Sequence, residues 1–302
     1  MTAGRALRCL IGAALLGAWA AAAMGVEPGA TVIDRTDLPR ATPDGTPIGG
    51  FSGLDLTPDG SRLILLSDKG FVIGADIRRT AAGDIAALTL DARPTPLRNR
   101  AGQPLAPPWS DSEGLRILPS GLLAVSFEGL HRVAIFTSGG QIVATLPVPR
   151  PFADLAPNDS LEALALAPDG AFLTFPEGPI AGSPRIPAFR YDGKGWTQPF
   201  TLTGERSFRP VDAAFGPDGR LYVLERDFWP LMGFQTRLRR LTLGENGPTR
   251  DETLWRTRAG TEPNYEGMAL WQGPDGLRAL IVSDDNFLEA QDSRLTELRL
   301  PD

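Results

Sequence analysis

Acidic residues recur at two addresses along this chain, and that recurrence makes them candidates for chemistry. Glu113, Glu162, Asp212 and Glu266 each open an apolar stretch, with Ser52 in the corresponding first slot. Asp68, Glu128, Glu177, Glu225 with Asp227, and Asp284 with Asp285 each close the apolar stretch that follows. Gathered in a partly dehydrated space, so many carboxylates repel one another, so they must be protonated, paired with bases, or bridged by cations. Lys69, Arg132, Arg209 and Arg226 stand beside the acids in sequence. Carboxylate, amide and carbonyl oxygens suit Ca²⁺ far better than zinc or copper. A hard cation polarises a substrate oxygen and acidifies water while a free carboxylate takes the proton, and nearby arginines orient a phosphate through forked hydrogen bonds. The pattern therefore predicts Ca²⁺-assisted hydrolysis of a phosphoester, a small anionic substrate.

Other chemistries lack their residues. One histidine, His131, excludes histidine-rich zinc sites and His-x-x-Glu-His-type centres. Gly50-Phe51-Ser52-Gly53-Leu54 approaches a nucleophile elbow but ends in leucine where glycine is needed, leaving Ser52 with His131 as the one Ser–His pair to test. No phosphate-binding Gly-x-x-x-x-Gly-Lys-Ser/Thr loop and no Rossmann fingerprint is present.

The elements that must position the acids are short strands. An apolar stretch, a Pro-Asp-Gly-like turn and a second apolar stretch recur five times, with turn prolines Pro58, Pro119, Pro168, Pro217 and Pro274 at spacings of 61, 49, 49 and 57 residues. Such a period fits four strands per blade of an all-β propeller. In the second copy the strands are expected at Glu113–Leu118, Leu122–Phe127, Arg132–Thr137 and Ile142–Val148. Five blades follow from the repeats, or six if the Pro-rich Ala92–Ser110 stretch is more than a loop. The fifth copy lacks a fourth strand, and Ala30–Asp37 is expected to supply it, closing the ring and removing an exposed edge. In such a blade the start of the first strand and the end of the second share one mouth of the channel, which is where both sets of acids fall. Asp59, Asp169, Asp218 and Asp275 fall at the opposite mouth and read as turn formers.

The first 25 residues read as a signal peptide, with Arg5 and Arg8 before an apolar run from Leu10 to Ala23 and small residues for cleavage, leaving one domain over 26–302. Cys9, the only cysteine, lies inside that segment, so the mature chain has neither disulfides nor thiolate sites. Loss of Arg5 and Arg8 takes the formal charge from −6 to −8, which argues against nucleic-acid binding. A periplasmic or secreted monomer without a membrane span is expected.

Several stretches in order resemble the phytase-like family of exported bacterial proteins, named for an esterase-like activity of phytase. They include Asp111-Ser112-Glu113-Gly114-Leu115, Phe127-Glu128-Gly129-Leu130-His131-Arg132, Phe208-Arg209-Pro210-Val211-Asp212 and Leu224-Glu225-Arg226-Asp227-Phe228. The resemblance implies a propeller with phosphoester or ester hydrolase activity. It offers Glu113, Glu162, Asp212, Glu266, Asp284 and Asp285 as cation ligands, with Asn158, Asn264 and Asn286 as neutral oxygen ligands. Arg132, Arg209, Arg226 and Arg237, with Lys69, become substrate-binding groups, and Glu128 or Glu225 the base, with His131 alongside. Two alternatives stay open. A Ca²⁺-dependent lactonase or sugar-ester hydrolase would need a similar cup with fewer arginines. A non-catalytic binding propeller would use Trp109, Trp196, Trp229, Trp255 and Trp271 as a rim, although large aromatics more often pack blades.

Overall fold

Apolar alternation and regularly placed Pro/Gly turns produce five sheets arranged as blades around one axis. The computed structural model describes residues 29–155, 161–180, 185–203 and 207–302. The expected signal segment, with Cys9, and Asn158 lie outside the described residues.

Blade 1 contains β2 (Phe51–Leu56), β3 (Arg62–Ser67), β4 (Phe71–Arg79) and β5 (Ile85–Leu90), with β6 (Thr95–Pro96) paired to β4. Blade 2 contains β7 (Ser112–Ile117), β8 (Leu123–Phe127), β9 (Arg132–Phe136) and β10 (Ile142–Thr145). Blade 3 contains β11 (Leu161–Leu166), β12 (Phe172–Pro176), β13 (Ile186–Tyr191) and β14 (Trp196–Leu202). Blade 4 contains β15 (Arg209–Phe215), β16 (Leu221–Trp229), β17 (Gly233–Gly244) and β18 (Gly247–Arg256). Blade 5 contains β19 (Asn264–Gly273), β20 (Gly276–Asp284) and β21 (Arg294–Arg299), and its outer strand is β1 (Thr31–Asp37) from the other end of the chain. The six-blade alternative falls away because Ala92–Ser110 supplies only β6 and isolated bridges.

Burial grades outward from the axis, as expected for strands sandwiched between neighbouring blades and then released to solvent. All five residues of β8 are buried, whereas β10 alternates half-buried and exposed. Each pair of adjacent blades encloses its own apolar core; Leu54, Leu65, Trp271 and Leu280 fill the seam between blades 1 and 5, where the ring closes.

The inner strands of blades 1 to 4 turn on a glycine whose N–H donates to the carbonyl three residues back, and in blades 1, 3 and 4 an aspartate Oδ1 also accepts the N–H two residues on. In blade 1, Gly60 N–H donates to the Thr57 carbonyl at 2.8 Å, Asp59 Oδ1 accepts the Ser61 N–H at 3.2 Å, and Gly60 takes φ 68°. That left-handed conformation is open to glycine without steric cost. At the opposite mouth every blade carries a register shift between its first two strands, falling between Phe51/Gly53, Ser112/Leu115, Leu161/Ala163, Pro210/Asp212 and Tyr265/Gly267. A bulge re-aims the extra residue, and in blades 2, 3 and 5 the shift takes in Glu113, Glu162 and Glu266. Gly267 lets the inner strands close up around the axis, since a Cβ there would lie 2.8 Å from the backbone of Gly53.

Candidate functional site

The bulges aim their acids into a bowl of about 420 Å³ at one mouth of the ring. Among the described residues, blade 1 contributes Asp68; blade 2, Asp111, Glu113 and Glu128; and blade 3, Glu162 and Glu177. Blade 4 adds Arg226, Phe228 and Phe234, and blade 5 adds Asn264, Glu266, Asp284 and Asn286. Eight carboxylates thus face one guanidinium among the described lining residues.

Arg226 organises one side of the bowl. Arg226 donates to Glu266, to Asn264 Oδ1 at 3.2 Å and to Glu177 Oε1 at 3.3 Å, which commits it to the blade 3 and blade 5 side. Asn264 Nδ2 donates to Glu266 Oε1 at 2.6 Å, fixing that carboxylate further. On the blade 2 side, carboxylate oxygens of Asp111, Glu113 and Glu128 all lie within 4.8 Å of one another. Burial, followed by repulsion from Glu162, Glu266, Glu128 and Asp111, raises the Glu113 carboxyl well above its ordinary value. Burial is also the main cause for Asp284, pushed up to about 7; Glu266 and Asp68 add repulsion while the Asn286 N–H, donating at 2.7 Å, opposes the rise.

Asn286 and Phe287 both adopt left-handed backbone, at φ 49° and 52°, a conformation costly for a phenylalanine. Asp285 holds the turn in place, its Oδ1 accepting the N–H groups of Phe287 at 3.0 Å and Gly50 at 2.9 Å. The turn places Asn286 on the lining of the bowl.

A buried ion pair joins the blades at the axis. Arg116 of blade 2 donates to Asp212 Oδ1 of blade 4 at 2.7 Å and to the Leu54 carbonyl of blade 1 at 3.1 Å. Asp212 Oδ2 accepts the Met268 N–H of blade 5 at 2.7 Å. Four blades are thereby tied at the axis.

Of the expected site residues, Glu113, Glu162, Glu266, Asp284, Glu128 and Arg226 converge in the bowl, together with Asn264 and Asn286. Asp212 and Glu225 do not, and blade 4 explains why. Ser52, Glu113 and Glu162 stand six residues before their turn prolines, but Asp212 stands five before Pro217. Glu128 and Glu177 stand seven residues after their turn glycines, a slot that Arg226 takes in blade 4 while Glu225 falls one short. A one-residue offset turns a strand side chain to the other face. Glu225 accordingly sits in a buried clamp, accepting from Arg237 Nε at 2.7 Å and Arg239 Nη1 at 2.8 Å.

The remaining candidates surround the bowl rather than line it. Asp285 stands behind it at the Gly50 turn. Arg237 stacks 4.1 Å from the Phe208 ring, and Arg132 lies 3.8 Å from Phe127 while donating to the Trp109 carbonyl at 2.6 Å. Arg209 is half-buried across the ladder from Arg226. Lys69 is exposed at the rim, 2.7 Å from Asp68. His131 Nδ1 is buried with no hydrogen-bond partner, and Ser52 Oγ donates to the Ser112 carbonyl at 2.6 Å, so the two form no dyad. Burial lowers the His131 pKa and favours the neutral ring. Trp109 and Trp229 are exposed, whereas Trp271 is buried in the seam between blades 1 and 5. Asp111 joins the expected acids in the bowl, and its place two residues before Glu113 is the sequence signal that marks it.

The profile of the family described as "Phytase-like: Esterase-like activity of phytase" matches residues 46–287. A comparison with curated proteins gives no match. Among solved structures, the chain is similar to the α-L-arabinofuranosidase PaAbf62A from Podospora anserina in complex with cellotriose, with TM-score 0.50, 11% identity and coverage of 90% of this chain and 96% of that one. It is also similar to XC5397 from Xanthomonas campestris, a gluconolactonase, with TM-score 0.48, 14% identity and coverage of 90% and 95%. Virginiamycin B lyase from Staphylococcus aureus gives TM-score 0.45, 14% identity and coverage of 88% and 99%. At these identities the likeness is one of fold alone.

Proposed function

This chain belongs to the phytase-like family, described by an esterase-like activity of phytase, and on that premise we propose that the bowl holds a hard divalent cation and hydrolyses an ester. The cation site is the blade 2 corner. Asp111, Glu113 and Glu128 offer only oxygen donors, all within 4.8 Å of one another, a donor set that fits Ca²⁺. When bound, the cation polarises the scissile carbonyl and offsets negative charge developing on its oxygen. Asp284, with its carboxyl near 7, is suited to take a proton from water at neutral pH. Asn264 and Asn286 present amides to the same space and orient the substrate.

The observation that carries the choice of an ester over a phosphoester is the placement of the arginines. Arg226 is committed to Glu266 and Glu177, while Arg132 and Arg237 are engaged away from the bowl. A phosphate entering there meets eight carboxylates, a repulsion that a neutral ester or lactone avoids. Phosphoester hydrolysis is the second reading. It gains support from Lys69 at the rim and requires enough bound cation to reverse the field.

The test is turnover of p-nitrophenyl acetate, a δ-lactone, p-nitrophenyl phosphate and phytate by the purified chain, in Ca²⁺ and in chelator. Acyl-ester or lactone turnover that is lost in chelator and in Asp111→Asn is expected. Phosphate release alone supports the second reading, and inactivity toward all four in Ca²⁺ rejects both.

A further inference from the structure

A second cavity, of about 610 Å³, opens beside the bowl, and Phe228, Phe234 and Asn264 line both. Its volume lies within the range of about 300–1,000 Å³ typical of small-molecule sites. One wall is the long β16–β17 hairpin, which runs three residues past the bowl-facing Arg226. Phe228 and Phe234 face each other across that ladder with ring centroids 5.0 Å apart, forming an aromatic partition between the two spaces. The hairpin tip is seated on glycine: a Cβ at Gly260 would lie 1.9 Å from the Met232 carbonyl oxygen.

The groove's charges are already engaged. Glu262 accepts from Arg35 at 2.6 Å and from the Tyr265 hydroxyl at 3.0 Å, Arg294 donates to Asp37 at 2.6 Å, and Asp292 is 3.4 Å from Arg40. What it offers a ligand is aromatic and thioether surface with amide and hydroxyl groups. Phe228 and Met232 are 58% and 57% exposed, a large apolar exposure for side chains on a soluble surface. The bowl is charged, while the adjoining groove adds aromatic and thioether surface among paired charges, so a molecule spanning both needs a polar and an apolar part.

We infer that this groove holds the apolar arm of the substrate, an uncharged ester whose acyl group is a medium-length hydrocarbon or an aromatic ring, with the ester itself in the bowl. The inference rests on the ester reading of the bowl. Water adds across the acyl–oxygen bond: the carbonyl carbon gains hydroxyl, the alcohol oxygen gains the proton, and no redox partner is needed.

The experiment compares p-nitrophenyl acetate, butyrate and octanoate with the full chain in Ca²⁺. Where the groove is used, kcat/KM rises by about threefold to fourfold per methylene buried. Met232→Asp puts a charge in the groove and Ala290→Trp fills it, both at exposed positions, and each is expected to lower the octanoate-to-acetate ratio at least tenfold. A flat chain-length series, or ratios unchanged in both variants, overturns the inference and leaves the ester reading standing. Binding of octanoyl p-nitroanilide, followed by quenching of tryptophan fluorescence, reads the groove without turnover. Binding weakened at least tenfold in both variants supports the groove even if no ester is hydrolysed, and binding unaffected by them rejects it.

Discussion

Arg116 Nη2 lies 2.7 Å from Asp212 Oδ1 across the propeller axis, with both side chains buried. Removing one partner of such a pair strands a charge, which costs about 3–5 kcal/mol, whereas replacing both with apolar or neutral groups is often near neutral. Arg116→Met is therefore expected to lower stability by about that amount, with Arg116→Met/Asp212→Asn recovering much of it. Urea denaturation of the single and double variants measures this. Equal losses in the two would mean that Arg116 acts through its backbone contacts instead.

Cation binding at the blade 2 corner should be visible as stability. A ligand bound only by the folded chain adds about 2.7 kcal/mol at a hundredfold excess over its Kd. Melting in chelator and in Ca²⁺ should differ accordingly, and Asp111→Asn and Glu113→Gln should each erase most of the difference. Identical melting of the unmutated chain in both buffers would remove the cation from the account.

The pH dependence has a definite sign. Asp284 titrates near 3.8 when unperturbed and near 7 when folded, and Glu113 and Glu266 are raised in the same sense. The folded state binds more protons than the unfolded chain across that window, so stability falls as pH rises from about 4 to 7, by up to about 1.4 kcal/mol per pH unit for each proton. Turn acids such as Asp59 and Asp275 are lowered by hydrogen bonds from Thr57 and Arg278, and their contribution is lost only at lower pH. In chelator the melting temperature should therefore peak in mildly acidic buffer, and Ca²⁺ should flatten the decline above it. A melting temperature that climbs steadily from pH 5 to 8 in chelator would contradict the raised carboxyls.

The ring was legible because its signals are local and repeated. Turn prolines, paired apolar stretches and a spare N-terminal strand lead to five blades and to β1 closing blade 5. Much of the bowl followed from the same counting, since Glu113 and Glu162 stand six residues before their turn prolines and Glu128 and Glu177 seven after their turn glycines, while Glu266 and Asp284 were found by their place at the ends of the fifth pair of apolar stretches. Blade 4 escaped because residue type was matched where strand phase decides: Asp212 and Glu225 look like their counterparts but stand one position off, leaving Arg226 to face the bowl. Arg116 could not be foreseen, because its partner is 96 residues away and only the closed ring brings them together.

Arg226 tests that offset most directly. It is the cation that keeps Glu266 and Glu177 from repelling each other, and burial of Glu266 makes that pairing worth more than a surface bridge. Arg226→Gln keeps a hydrogen-bond donor but removes the charge. In chelator this variant is expected to lose about 3–5 kcal/mol, and its Ca²⁺ affinity should rise because the bowl becomes more negative on the blade 5 side. Calorimetric titration with Ca²⁺ and melting in chelator measure the two effects together. A loss below about 1 kcal/mol with unchanged Ca²⁺ affinity would place Arg226 among ordinary solvated ion pairs, and the link drawn between the charge of the bowl and its affinity for a cation would lose its basis.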